Sequence, residues 1–144
     1  MQLSWEKFKP SDIGDLLRLM SELCRVASLP WDPETRTKNI LEFKQGDIWF
    51  ISADQKRIGY VVSVFGFSFE FGGRFSFIDE FYIEKSHRRS GIGGQTLDFI
   101  AKKSAESGSV VMLLEASDSE SQLHAFYEKS GFVRRNYRLY YRTL

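Results

Sequence analysis

Between a strand-like apolar run and a helical pattern lies Ser86-His87-Arg88-Arg89-Ser90-Gly91-Ile92-Gly93-Gly94, a basic, glycine-rich stretch. Amides at a helix N-terminus point outward and carry partial positive charge, so such a stretch can hold a phosphate or pyrophosphate. Gly91 and Gly93 let the backbone approach a ligand with no side chain in the way. His87, Arg88 and Arg89 add positive charge nearby. The same residues would also make an ordinary glycine turn with solvated arginines. Two other phosphate loops are excluded. GxGxxG beginning at Gly91 requires glycine where Thr96 stands, and a P-loop requires a Gly-Lys pair that never occurs. Just upstream, Asp79 and Glu80 interrupt an otherwise apolar strand. Burial raises a carboxylate's pKa and makes it a better base, but a buried carboxylate can equally anchor a helix or an arginine through an ion pair.

The elements that must position these residues follow from periodicity. Gln2 to Phe8 reads as a strand leading to Pro10. Ser11 is expected to cap a helix whose stripe is Ile13, Leu16, Leu17, Met20, Leu23 and Cys24. Cys24 on that stripe reads as an inert core thiol. Asp32-Pro33 opens a weaker helix that ends near Gly46. Ile48 to Ala53 and Ile58 to Phe71 read as strands, and Gly72-Gly73 as a hairpin turn. The return strand, about Arg74 to Glu84, alternates Phe75, Phe77, Asp79, Phe81 and Ile83 on one face with Ser76, Ile78, Glu80 and Tyr82 on the other. Apolar residues on both faces place it in the centre of the sheet. A helix carrying Leu97, Ile100, Ala101, Ser104 and Ala105 follows, then a buried strand from Val110 to Leu114. Ser119 and Gln122 fit a capping box for a helix presenting Leu123, Phe126, Tyr127 and Ser130. Phe132 to Leu144 reads as a final strand or hairpin. A meander followed by βαβ units gives an α/β fold with a mixed sheet and helices on both faces.

Composition narrows the function classes. The 144 residues form a chain of ordinary single-domain size, here taken as one domain over 1–144. An aromatic content of 15% excludes a disordered chain. Twenty Lys and Arg against 19 Asp and Glu leave a net charge of +1, which argues against a nucleic-acid partner. Arg134, Arg135, Arg138 and Arg142 interleave with Tyr137, Tyr140 and Tyr141, but strand alternation accounts for that pattern unaided. One cysteine permits no intramolecular disulfide, and with two histidines leaves no metal site to expect. No apolar run approaches a membrane span, and the N-terminus lacks a signal-peptide pattern, so a cytoplasmic location is expected.

Ile83 through Leu97 resembles motif A of the GNAT superfamily of acetyl-CoA-dependent N-acetyltransferases. That motif is Arg/Gln-x-x-Gly-x-Gly/Ala after a hydrophobic strand, and Arg88-x-x-Gly91-x-Gly93 fits it. Phe126-Tyr127-Glu128-Lys129-Ser130-Gly131-Phe132 is similar to the family's motif B, and Tyr140-Tyr141-Arg142 to the ending of many members. Glu120 stands where the family usually has an asparagine that touches the cofactor, and Leu123 where it usually has alanine.

The resemblance implies a central sheet splayed between its fourth and fifth strands, with acetyl-CoA as acetyl donor and no metal. The pyrophosphate would sit on the amides of Arg88, Arg89, Ser90, Gly91, Ile92, Gly93 and Gly94. The pantetheine arm would pair along Phe81, Tyr82 and Ile83, one of whose amides would polarise the thioester carbonyl. Asp79 or Glu80 would take the proton of the attacking amine, directly or through water. Tyr127, also near the cofactor, would protonate the departing thiolate. The acceptor is expected to be an amine, small molecules being favoured over proteins or peptides. A non-catalytic acyl-CoA-binding module is the alternative. Phe67, Phe69 and Phe71, if exposed, could wall the acceptor pocket or form a homodimer contact.

Overall fold

Alternating apolar residues from the N-terminus onward lay down five strands in one sheet. The computed structural model describes residues 1–144. Strands β1 (Leu3–Lys7), β2 (Gly46–Ala53), β3 (Lys56–Ser68), β4 (Gly73–Ile83) and β5 (Val111–Leu113) lie side by side in chain order. The first three pairings are antiparallel and the last is parallel. Helices α1 (Ile13–Val26) and α2 (Pro33–Glu42) precede β2; α3 (Ile92–Glu106) joins β4 to β5; α4 (Ser121–Lys129) follows. The chain divides into two compact units, Met1–Leu114 and Glu115–Leu144.

Within the first unit, one face of the sheet carries Ile48, Phe50, Tyr60, Val62 and Tyr82, packed with Leu16, Leu19 and Met20 of α1 and Ile40 of α2. Leu19, absent from the expected stripe, is fully buried. Ser11 does not cap α1: a short 3-10 turn, Pro10–Asp12, comes first, and Asp12 takes the cap position. Asp32 caps α2 as expected, its side chain accepting from the Thr35 amide at 3.1 Å. On the opposite face, Trp5 stacks on Phe99 of α3 with ring centroids 4.7 Å apart and donates to the Thr96 hydroxyl at 3.1 Å.

β4 departs from the expected alternation. Ile78 pairs with Ser63 and Glu80 with Val62, leaving Asp79 as the extra residue of a β-bulge. A bulge shifts side-chain parity by one. Phe75, Phe77, Glu80 and Tyr82 therefore share the α1/α2 face, while Phe81 and Ile83 join Ser76 and Ile78 on the other. Period-two reading cannot detect an inserted residue, which is why it placed Glu80 opposite Phe75.

β5 pairs only with Phe75–Phe77, so β4 has no strand partner on that side from Ile78 onward. This is the splay between the fourth and fifth strands. At the β3–β4 turn, Phe67 and Phe69 are exposed, and their rings meet edge to face 5.2 Å apart.

Gly59 permits β3 and β4 to approach closely at the end where the loop begins. A Cβ there would lie 2.3 Å from the Tyr82 carbonyl oxygen and 3.1 Å from the Ile83 Cα. Gly59→Ala should therefore destabilise the protein by about 1–3 kcal/mol, in the range of core overpacking. A thermal melt checks this; an unchanged Tm would mean the strands separate at no cost.

In the second unit, Ser119 bonds Ser117 (2.9 Å) rather than capping α4, whose N-cap is Glu120 with no side-chain cap bond. Residues 132–144 contain no strand, contrary to the expected strand or hairpin. Tyr137, Leu139, Tyr140 and Tyr141 are all exposed, so alternation there has no buried face to fix it. No helix is long and apolar enough to cross a membrane.

Candidate active site

The basic loop leaves the end of β4 and turns back on itself. A 3-10 turn spans Lys85–His87, and the Arg88 Nε donates to the Ile83 carbonyl at 2.7 Å. The Arg88 guanidinium lies 5.5 Å from the Tyr82 ring centroid, and the Ser90 hydroxyl donates to the His87 carbonyl at 2.6 Å. These contacts hold two left-handed residues, Arg89 (φ +61°) and Gly91 (φ +82°). Such a φ suits glycine and is uncommon elsewhere. Gly91 is the N-cap of α3.

Ile92 is buried and fixes the first turn of α3 against the core. The helix's first backbone bond of this turn is donated by Gln95 to Gly91 at 3.2 Å. The amides of Ile92, Gly93 and Gly94 precede it and have no acceptor within the helix. A Cβ on Gly94 would meet nothing within 4 Å, and one on Gly91 only the Gln95 side-chain nitrogen at 3.8 Å. The loop is thus exposed from Arg88 to Gly91 and half-exposed at Gly93 and Gly94, at the positive end of a 15-residue helix. That chemistry suits a phosphate or pyrophosphate.

A charged network steadies the strand-to-loop junction. Glu84, next after β4, receives Arg18 of α1 at 3.1 Å and Lys56 of β3 at 3.4 Å. Arg18 also donates to the Arg57 carbonyl at 3.2 Å, and the Tyr82 hydroxyl donates to Glu22 of α1 at 2.8 Å. Sequence reasoning missed Glu84 because an acid at a strand end has no distinctive spacing; its Lys56 and Arg18 partners lie 28 and 66 residues away.

At the bulge the two carboxylates part company. Glu80 is bonded at both oxygens, by Arg36 of α2 at 2.7 Å and by the Tyr60 hydroxyl at 2.7 Å. Asp79 remains open to solvent although the sheet shields it in part, and no hydrogen bond or ion pair engages its carboxylate. Partial burial holds its pKa above the ordinary carboxylate value, the Glu80 charge adds to the rise, and Arg36 opposes it. Burial and the Glu80 charge likewise raise the Tyr60 hydroxyl strongly, which keeps it a donor. The structure brings Asp79 and Glu80 to the splayed part of β4, beside Phe81–Ile83 and the loop.

In the second unit, Tyr127 sits on α4 with its ring 5.1 Å from Phe126 and 5.8 Å from Phe132. Burial first, and then the Glu120 charge, raise its pKa above the ordinary tyrosine value, so the hydroxyl holds a proton to donate. Gly131, at φ +90°, ends the helix and lets Phe132 turn back onto Tyr127.

The sequence profile of the Acetyltransferase (GNAT) family matches residues 16–132. The chain belongs to that family, and the matched stretch runs from within α1 to just past α4. No protein of curated function matches in sequence. Among solved structures, an integron cassette protein from the mobile metagenome of Cole Harbour Salt Marsh is 26% identical with a TM-score of 0.85, covering 97% of this chain and 90% of its own. An aminoglycoside acetyltransferase from an uncultured soil metagenomic sample, in complex with sisomicin, has a TM-score of 0.83 at 16% identity, covering 99% and 96%. A ribosomal-protein-alanine N-acetyltransferase from Brucella melitensis biovar Abortus 2308 has a TM-score of 0.82 at 17% identity, covering 99% of each chain. At these last two identities the likeness is one of fold.

Proposed function

We propose that this member of the GNAT family is an N-acetyltransferase that moves an acetyl group from acetyl-CoA to a primary amine by direct attack, with residues 1–144 acting as one domain. The observation that carries the reading is the exposed, glycine-containing loop at the N-terminus of α3, continuous with a β4 edge that lacks a strand partner. The amides from Arg88 to Gly94, with the positive charge of Arg88 and Arg89, would bind the pyrophosphate. The free edge at Phe81, Tyr82 and Ile83 would pair with the pantetheine arm and give one amide to the thioester carbonyl. Acetyl-CoA, when bound, supplies an activated thioester.

Asp79 would take the amine's proton as the nitrogen–carbon bond forms. Tyr127 would give its proton to the sulfur as the carbon–sulfur bond breaks. Asp79 then gives its proton to solvent and Tyr127 regains one from it, and because the amine attacks the thioester carbonyl itself, no covalent enzyme intermediate forms. Small-molecule amines are the favoured acceptors. Aminoglycosides deserve a place in the screen because a structure of similar fold is an aminoglycoside acetyltransferase.

The test is an acetyl-CoA turnover screen over polyamines, aminoglycosides, amino acids and peptides, read as free thiol. Turnover on one class is expected. Tight acetyl-CoA binding with no turnover on any class would instead favour a non-catalytic acyl-CoA-binding module. On a true substrate, Tyr127→Phe should keep the ring packing and the acetyl-CoA affinity while lowering kcat, the mark of an interaction made in the transition state. The drop should be modest, since a thiol of pKa ~8.5 is already a fair leaving group. An unchanged kcat would leave Tyr127 as packing alone.

A further inference from the structure

We infer that Arg36, Glu80 and Tyr60 form a positioning triad that ties down one carboxylate of the bulge and leaves its neighbour, Asp79, as the group able to take a proton. The inference rests on the reading of Asp79 as proton acceptor and assigns Glu80 a different task from catalysis. The three side chains come from three elements, α2, β4 and β3, and meet at two bonds of 2.7 Å each. Each Glu80 oxygen has one donor. A carboxylate so engaged cannot turn to a substrate without breaking a charge-assisted bond and stranding a part-buried guanidinium. Arg36 is itself held, with its guanidinium 5.8 Å from the Trp31 ring centroid.

The bulge gives this arrangement its use. Adjacent residues on a regular strand point to opposite faces, but Asp79 is the unpaired residue and Glu80 is the one locked in register with Val62. Fixing Glu80 fixes the bulge, and the bulge sets where Asp79 stands. The charges acting on Asp79 are those of Glu80, from its own strand, and Arg36, from α2. From β3 comes only the Tyr60 hydroxyl, bonded to Glu80. From α1 come the buried Cys24 and Glu22, the latter bonded to Tyr82. Glu80 thus pushes the Asp79 proton affinity up and Arg36 pulls it down, and the triad sets the balance.

The test follows the carbon-13 signal of the Asp79 carboxyl through a pH titration, assigned by its loss in Asp79→Asn. Glu80→Gln should lower the Asp79 midpoint, and Arg36→Gln should raise it. Arg36→Lys, which keeps the charge, should stay near wild type. Thermal melts confirm that each variant is folded; should Arg36→Gln not fold, Glu80→Gln decides the matter alone. An Asp79 midpoint unmoved in folded Glu80→Gln, or moved upward, overturns the proposal. Opposite shifts in the two neutral variants cannot come from a general loosening of the bulge, which would move both the same way. The titration needs no acceptor, so it stands apart from the turnover screen and from acetyl-CoA binding, which test the enzymatic reading.

Discussion

Gly91→Asp should abolish the stabilisation that acetyl-CoA gives the wild-type protein. A ligand at a hundred times its Kd stabilises the native state by about 2.7 kcal/mol, enough to raise Tm by several degrees. The aspartate would place a negative charge beside the amides of Ile92, Gly93 and Gly94, where a pyrophosphate is expected. Two like charges about 4 Å apart at an effective dielectric near 20 repel by about 4 kcal/mol, or roughly a thousandfold in affinity. Backbone strain must be separated from charge, since Gly91 has a φ of +82°. Gly91→Asn is the control: asparagine tolerates the left-handed region about as well as aspartate and carries no charge. The side chain itself meets open space apart from the distant Gln95 nitrogen. The expected order is therefore wild type, then Asn somewhat weaker, then Asp without measurable shift. Equal shifts in all three would reduce the loop to a turn and remove the support for the acetyl-CoA reading.

The loop was legible in the sequence because its signal is local. A strand, a glycine turn and a helix start sit within a dozen residues, and each has its own residue preferences. The same holds for Asp32 capping α2 and for Gly108 and Gly131, both at positive φ after helices. What escaped depended on partners distant in the chain. The Glu80 bonds join residues 20 and 44 positions apart, so the choice between base and ion-pair anchor could only be left open. The bulge at Asp79 escaped for a different reason. Bulges are set by the pairing of two strands, and one strand's alternation holds no record of an extra residue. Residues 132–144 show the converse error, where alternation was present but no buried face backed it.

β4 connects the two halves of the proposed chemistry. Its bulge carries Asp79, its free edge carries Phe81–Ile83, and its last residue is bonded by Arg88 at the start of the loop. The Glu84 network then fastens that junction to α1 and β3. A change that loosens β4 should therefore disturb cofactor binding and proton transfer together, whereas a change confined to one carboxyl group should separate them.

Asp79→Asn is such a change, and it should lower kcat/KM on a true acceptor by about 10²–10⁴-fold, the usual range for loss of a general base. Acetyl-CoA affinity should hold, because the loop amides are untouched. Asp79 must be deprotonated to act, so the wild-type rate should rise with pH through its raised pKa, and the asparagine variant should lose that acidic limb. Stability should move in the opposite sense to activity. A carboxyl whose folded-state pKa lies above its unfolded value favours the native state fully only below the unfolded value. It loses that contribution as pH rises through the folded value. The neutral amide never ionises, so Asp79→Asn should be the more stable protein at neutral pH, with the difference closing as pH falls below the ordinary aspartate range. Glu80→Gln offers the contrast: it removes the charge that strengthens the Arg36 bond and the second acceptor oxygen that Tyr60 uses, and so should lower stability while keeping a base in place. A folded Asp79→Asn variant with near wild-type kcat/KM and an intact acidic limb would remove Asp79 from the mechanism and leave water as the proton acceptor.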